Sequence, residues 1–244
     1  MVLTGTIVNG VCIAAGTLLG KLLHRIPEKV KTTVMQGISL AVIVLGLQMA
    51  FKTEQLLIVI FSLVIGSVLG EWWKLDDNLN ALGHWIERKV GSKNEGNVAK
   101  GFVTATLIFV IGAMAIIGAL DSGLRADHRV LYTKSILDGF TSLILASTLG
   151  IGVMFSAIPV MLYQGSIALF ATQIERFIPE ALLDIMIVEM TATGGVLITA
   201  IGINLLGLMH IRVANMLPAI LVAVILATGT YLWQQYDIIK LFLQ

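Results

Sequence analysis

The sequence predicts an all-α, polytopic transmembrane helix bundle of about eight spans, on three observations. Hydrophobic residues make up 57% of the chain, and the mean hydropathy is +0.93. Charged residues amount to 13%, about half of the roughly 25% typical of soluble domains. The apolar residues also gather in windows of the length, about 20 residues, that crosses a hydrocarbon core of roughly 30 Å. Eight such windows with their connections fill the 244 residues. Residues 1–244 therefore read as one integral membrane domain with no separate soluble unit.

The windows fall at 4–23, 32–51, 55–73, 101–120, 135–155, 156–175, 188–209 and 214–235. The first contains the single Cys12 and has no Lys or Arg before Lys21. It lacks the basic start of a signal peptide and is expected to be a retained span. Only Ser156 to Pro159 separates the fifth window from the sixth, so seven spans with a re-entrant segment over 156–175 is the alternative. Between the third and fourth windows, Leu75, Leu79, Leu82, Ile86 and Val90 recur at helical spacing opposite Asp76, Asp77, Glu87 and Arg88. Residues 74–100 thus read as an amphipathic connector lying along one membrane surface, with Trp72, Trp73 and Trp85 at headgroup level.

Loop charges orient the bundle. With the N-terminus outside, ten of the sixteen Lys and Arg fall on inner segments and six on outer ones, which favours N-out and C-out. Three matches recur in the same order along the chain. Asn9-Gly10 leading to "TLLG" matches Asp138-Gly139 leading to "STLG", "VMQGISLA" matches "LYQGSIAL", and "GSVLG" matches "GINLLG". They predict two tandem four-helix repeats, 1–120 and 133–236, related by an axis along the membrane normal.

Polar side chains at membrane depth cost free energy unless paired or hydrated, so they mark candidate sites. Asn9, Gln36, Gln164 and Asn204 are the amides within the windows. Asp138 is the acidic residue most embedded, and Lys134, four residues earlier, shares its helix face. These six are the transport or binding candidates, with Asn9, Gln36 and Gln164 coordinating a solute and Lys134 with Asp138 forming an outer gate or ion-coupled pair. Asp121, Arg125 and Arg129 form the expected outer entrance. Glu189 reads as interfacial. The net charge of +1 gives no basic patch for nucleic acid. His24, His84, His128 and His210 are scattered, and no zinc, nucleotide-loop or serine-elbow motif occurs. No enzyme, metal site or cofactor is expected; the partners expected are the bilayer, a small solute or ion, and a second copy in a dimer.

The run "FVIGAMAIIGALDSGL", then "LYTKSILDGFTSLILASTLGIGVMFSAIPVMLYQG" and "IRVANMLPA", with the N-terminal "GTIVNG" and "GSVLGE", resembles the YqgA/YdfK family of bacterial inner-membrane proteins. The resemblance covers essentially the whole chain, and Lys134, Asp138, Gly139, Gln164 and Gly165 match its motif. It implies a multi-pass cytoplasmic-membrane protein of unassigned activity, described as a candidate transporter. At "FVIGAM", Ala113 stands where the family pattern has Pro, so no kink is carried over there. A small-solute transporter or channel is the function expected. A non-transporting protein that binds a partner through 74–100 is the alternative.

Overall fold

The computed structural model describes residues 1–22, 28–90 and 97–242, and among these the regular secondary structure is all helical, with no strand. His24, Arg25, Lys93 and the 91–96 portion of the connector lie outside the described residues. The helices are α1 (Thr4–Leu22), α2 (Glu28–Ala50), α3 (Leu56–Trp73), α4 (Leu75–Val90), α5 (Asn97–Val110) and α6 (Ala113–Leu124). They continue as α7 (Arg129–Leu149), α8 (Ala157–Leu169), α9 (Ala171–Phe177), α10 (Glu180–Leu206) and α11 (Pro218–Phe242). Two 3-10 turns, Gly150–Ser156 and Val213–Met216, precede α8 and α11.

Among the described residues, six helical stretches are long and apolar enough to cross a bilayer, or seven if the bent pair Val98–Val110 and Ala113–Leu124 counts as one. One of the six, Arg129–Leu169, holds 41 residues, about 60 Å if straight and about twice a hydrocarbon core. It does not run straight. Gly5 packs on Leu131 and Gly20 on Leu143 and Ala146, so α1 and α7 run parallel. Gly10 meets Met161, while Gly165 meets Leu3 and Thr6, so α8 runs antiparallel to α1. The turn at Gly150–Ser156, opened by Gly150 at φ 77°, folds the stretch back on itself.

Small residues set how closely the helices approach. The α1–α7 seam is the most extensive in the protein, followed by α2–α10. On α1, a Cβ at Gly16 would run into the carbonyl oxygen of Gly139, and one at Gly20 into that of Leu143. On α2, Gly46 fits Gly195 and Thr199, and Gly202 of α10 fits Ser39 and Ile43, which makes this pair antiparallel. Backbone approach of this kind replaces the hydrophobic drive that is missing between helices in lipid. Gly16→Ala is expected to lower stability by about 1–3 kcal/mol through overpacking, read as a fall in melting temperature in detergent. Gly37→Ala is the control, because a Cβ there meets nothing within 4 Å.

At the opposite end from the chain's start, α4 follows α3 through Lys74, which adopts a left-handed conformation at φ 51°. Asp76 and Asp77 occupy its first turn and Arg88 and Lys89 its last, each sign placed favourably for the helix dipole. The start of α4 is anchored by Asn215, whose Oδ1 accepts from the Asp76 N–H at 2.7 Å and whose Nδ2 donates to Glu71 at 2.7 Å. Arg212 donates to the same carboxylate at 2.7 Å. Trp72, Trp73, Leu82 and Trp85 are exposed along this surface.

The fourth apolar window departs from the expected span. It is not a straight span: α5 and α6 meet at Ile111–Gly112 with a bend of 63°. Pro is absent from this position, and Gly112 makes the break instead, at φ 141° and ψ 148°. That region is open to glycine almost alone.

Candidate functional site

Asp138 lies in the third turn of α7, and Lys134 stands one turn before it on the same face. The Lys134 Nζ donates to Asp138 Oδ2 at 2.6 Å, and each residue is only 6% exposed. The lysine is also 6.0 Å from the centroid of the Phe109 ring, at the end of α5. Because α1 and α7 lie in parallel glycine contact, Asn9 reaches across the seam. Its Nδ2 donates to Asp138 Oδ2 at 3.0 Å and to Gln164 Oε1 of α8 at 3.2 Å. Asn9 and Gln164 are both completely buried.

Four of the six binding candidates are thus one hydrogen-bonded cluster drawn from α1, α7 and α8. Burying an ion pair in a membrane bundle is costly, and amides that accept and donate around it offset part of that cost. The arrangement leaves Asn9 Oδ1, Gln164 Nε2 and Thr6 Oγ1 without a protein partner among the described residues. Such atoms are receptors for ordered water.

On the other side of Asp138 is a cavity of about 460 Å³. Lys134 and Asp138 form its charged end, together with Lys52 and Gln48 of the α2 terminus. Gly112, at the α5–α6 break, contributes bare backbone to the wall, and Thr191 of α10 contributes a buried hydroxyl. Gln164 does not reach this wall. It sits behind Asp138, and its reach to the cavity is indirect, through Asn9.

The other two amides are elsewhere. Gln36 is exposed on α2, away from both the cavity and the cluster, so it does not pair with Gln164 as the repeat pattern suggests. Asn204 closes the end of α10 instead: it donates to the Ile211 carbonyl at 2.7 Å and accepts from the Ile211 N–H at 2.8 Å. That pair of bonds satisfies the backbone of the turn after Gly207.

The expected entrance residues do come together. Asp121, Arg125 and Arg129 line a second cavity of about 420 Å³, with Asp127 and Thr133 beside them. Arg125 donates to Asp121 at 3.3 Å, and the Arg129 Nε donates to both oxygens of Asp127 at 3.0 Å. The Arg129 side-chain bond, reinforced by its backbone N–H, holds the Asp127 carboxyl at about 2, well below the usual carboxylate range. A depressed carboxylate keeps its charge until the pH falls through that value. Asp127→Asn is therefore expected to leave the pH profile of any activity unchanged between pH 5 and 8; a displaced profile would place Asp127 in the titration.

Met114, in the first turn of α6, lines both cavities. It stands between the charged vestibule and the Lys134–Asp138 chamber. No sequence signal marks it, nor Gln48 and Lys52, which look like the ordinary polar end of a span. Glu189 is buried, and the hydroxyl of Thr53, in the loop between α2 and α3, lies 2.8 Å from both of its oxygens. The two residues lie far apart in sequence, so this pairing depends on the fold alone.

The family described as "Protein of unknown function (DUF554)" matches residues 4–228. The chain is 34% identical over 223 residues to the uncharacterized membrane protein YdfK of Bacillus subtilis (strain 168), covering 89% of this chain and 93% of the relative. It is 29% identical over 234 residues to the uncharacterized protein YqgA of Escherichia coli (strain K12), covering 94% and 98% respectively. No solved structure matches.

Proposed function

The chain belongs to the DUF554 family of membrane proteins of unknown function, and we propose that this member is a small-solute transporter or channel. The observation that carries the reading is the Lys134–Asp138 ion pair, buried within the bundle yet forming part of a cavity wall. An intramembrane charge is expensive and marks a solute or ion pathway by default. The broken α5–α6 segment supports the same reading. Irregular backbone at membrane depth is tolerated only where protein buries it or a cavity hydrates it, and transporters place their sites at such interrupted helices.

In this mechanism the Asp121–Arg129 vestibule is the aqueous mouth, Met114 is the partition behind it, and in the chamber Lys134 and Asp138 exchange their mutual bond for bonds to the solute. Asn9 holds Asp138 in place, and Gln164 holds Asn9. The two amides are positioning residues, and Gln36 and Asn204 have no part. The returning α8 arm makes eight passes when the chain is traced end to end, with the vestibule and N-terminus on the outer face of a bacterial cytoplasmic membrane. The parallel α1 and α7, whose Asn9 and Asp138 meet across the seam, favour an ancient duplication in which Gln36 and Gln164 have diverged. We assign α4 to the bilayer surface, where its exposed indoles have their preferred depth.

The test is uptake of a mixed metabolite extract into proteoliposomes, read by mass spectrometry. Wild type is expected to accumulate at least one solute class, Asp138→Asn to abolish it, and Gln164→Ala to reduce it about tenfold. Met114→Trp is expected to close the passage without changing the melting temperature, and Met114→Ala to raise flux. Identical solute profiles for wild type and Asp138→Asn would remove the pair from the mechanism.

A further inference from the structure

We infer that the chamber takes an amphipathic organic monoanion, a single apolar chain ending in a carboxylate, which enters from the bilayer between α2 and α7. The inference deepens the transport reading and rests on it for every step after binding. Away from its charged end, the wall is aliphatic and aromatic, with Ile38, Leu45, Phe109, Ile144 and Ile198 prominent. A sugar or an inorganic ion there would lose its water to surfaces that return no hydrogen bonds. An apolar chain loses nothing.

The charged end selects the sign. Lys52 and Lys134 face the chamber against one carboxylate, Asp138, giving a net +1. An ammonium group has three donors, and Asp138 occupies one of those on Lys134. The volume limits the chain. About 460 Å³ lies in the range of roughly 300–1,000 Å³ for small-molecule sites, suited to one alkyl chain and cramped for two.

The route is set by exposure. Leu45 of α2 and Leu137 of α7 line the chamber and are exposed, so the opening lies along the side of the bundle. In a membrane-embedded protein that side meets lipid tails, in which an amphiphile is already concentrated.

The experiment measures binding of dodecanoate, dodecyltrimethylammonium and butyrate to the protein in lipid nanodiscs by equilibrium dialysis. Dodecanoate is expected to bind at least tenfold more tightly than either of the others. Lys52→Gln should weaken it several-fold and Leu45→Trp should abolish it; both positions are exposed, so both variants are expected to fold. Equal binding of the cationic and anionic chains, or binding unchanged by Leu45→Trp, would overturn the inference. So would efficient crosslinking between copies through Leu137→Cys, with no dodecanoate bound, since a second copy would then cover the opening. Dodecanoate bound but never moved across proteoliposomes would leave this site standing and sink transport. Asp138-dependent flux of a hydrophilic solute without dodecanoate binding would do the reverse.

Discussion

Lys134→Met alone and Asp138→Asn alone are each expected to cost about 3–5 kcal/mol, whereas the two together restore most of that stability while leaving the protein inactive. Each single change strands one charge at a buried position, and a buried ion pair broken on one side is strongly destabilised. The double change removes both charges at once. The amide introduced at position 138 can still accept from Asn9 Nδ2, which now sits 3.0 Å from the carboxylate, so the α1–α7 seam keeps its polar contact. Methionine fits the space of the lysine stem, whose Nζ lies 6.0 Å from the centroid of the Phe109 ring. Exchange of a buried pair for apolar or neutral groups is often neutral in stability. The cycle is read by thermal melting in detergent beside flux in proteoliposomes. If the double variant still carried solute, the pair would be a structural ornament of the seam. If it melted as low as the singles, the cost would lie in packing and not in charge.

The members of this cluster differ in how far the sequence discloses them. Lys134 and Asp138 are visible as an i,i+4 pair at the head of an apolar window, because helical spacing is a local property. Asn9 is visible through the match of Asn9-Gly10 with Asp138-Gly139, and the structure puts those two dipeptides on facing helices. Gln36 looks equivalent to Gln164 by the same kind of match, yet it points outward while Gln164 is buried. The reason is physical. In a soluble helix, hydrophobic periodicity separates the inner face from the outer one. Lipid is as apolar as a protein interior, so a spanning helix such as α2 shows no such contrast, and its inward face cannot be read from its pattern. The same loss hides Gln48 and Lys52, which are cavity residues only because α7 and the α5–α6 break lie beside the end of α2. Thr53 and Glu189 are hidden for a different reason, since neither sits near the other until α2 and α10 pack antiparallel.

Gly112→Ala is expected to be the most damaging single methyl group in the protein for function, and the cause is conformational, not steric. A Cβ there would meet only the Met49 Cε, at 3.7 Å, which is ordinary contact. The backbone, however, sits at φ 141° and ψ 148°, where an L side chain costs about 1–3 kcal/mol. The chain can relieve that cost by moving φ to a negative value, which changes the angle between α5 and α6 from the present 63°. Both Phe109, next to Lys134, and Met114, between the two cavities, are carried by the helix ends that meet at this residue. Straightening the joint would therefore swing the partition and the chamber wall together. The expected result is a fall of more than tenfold in flux with a melting temperature lowered by only a few degrees. Gly118→Ala, on α6 but packed directly on Leu131 and Val130, should show the opposite balance, a larger loss of stability for a smaller loss of flux per folded molecule. Equal ratios of flux to stability in the two variants would mean that the break is merely a packing defect, and that Met114 is not carried by it.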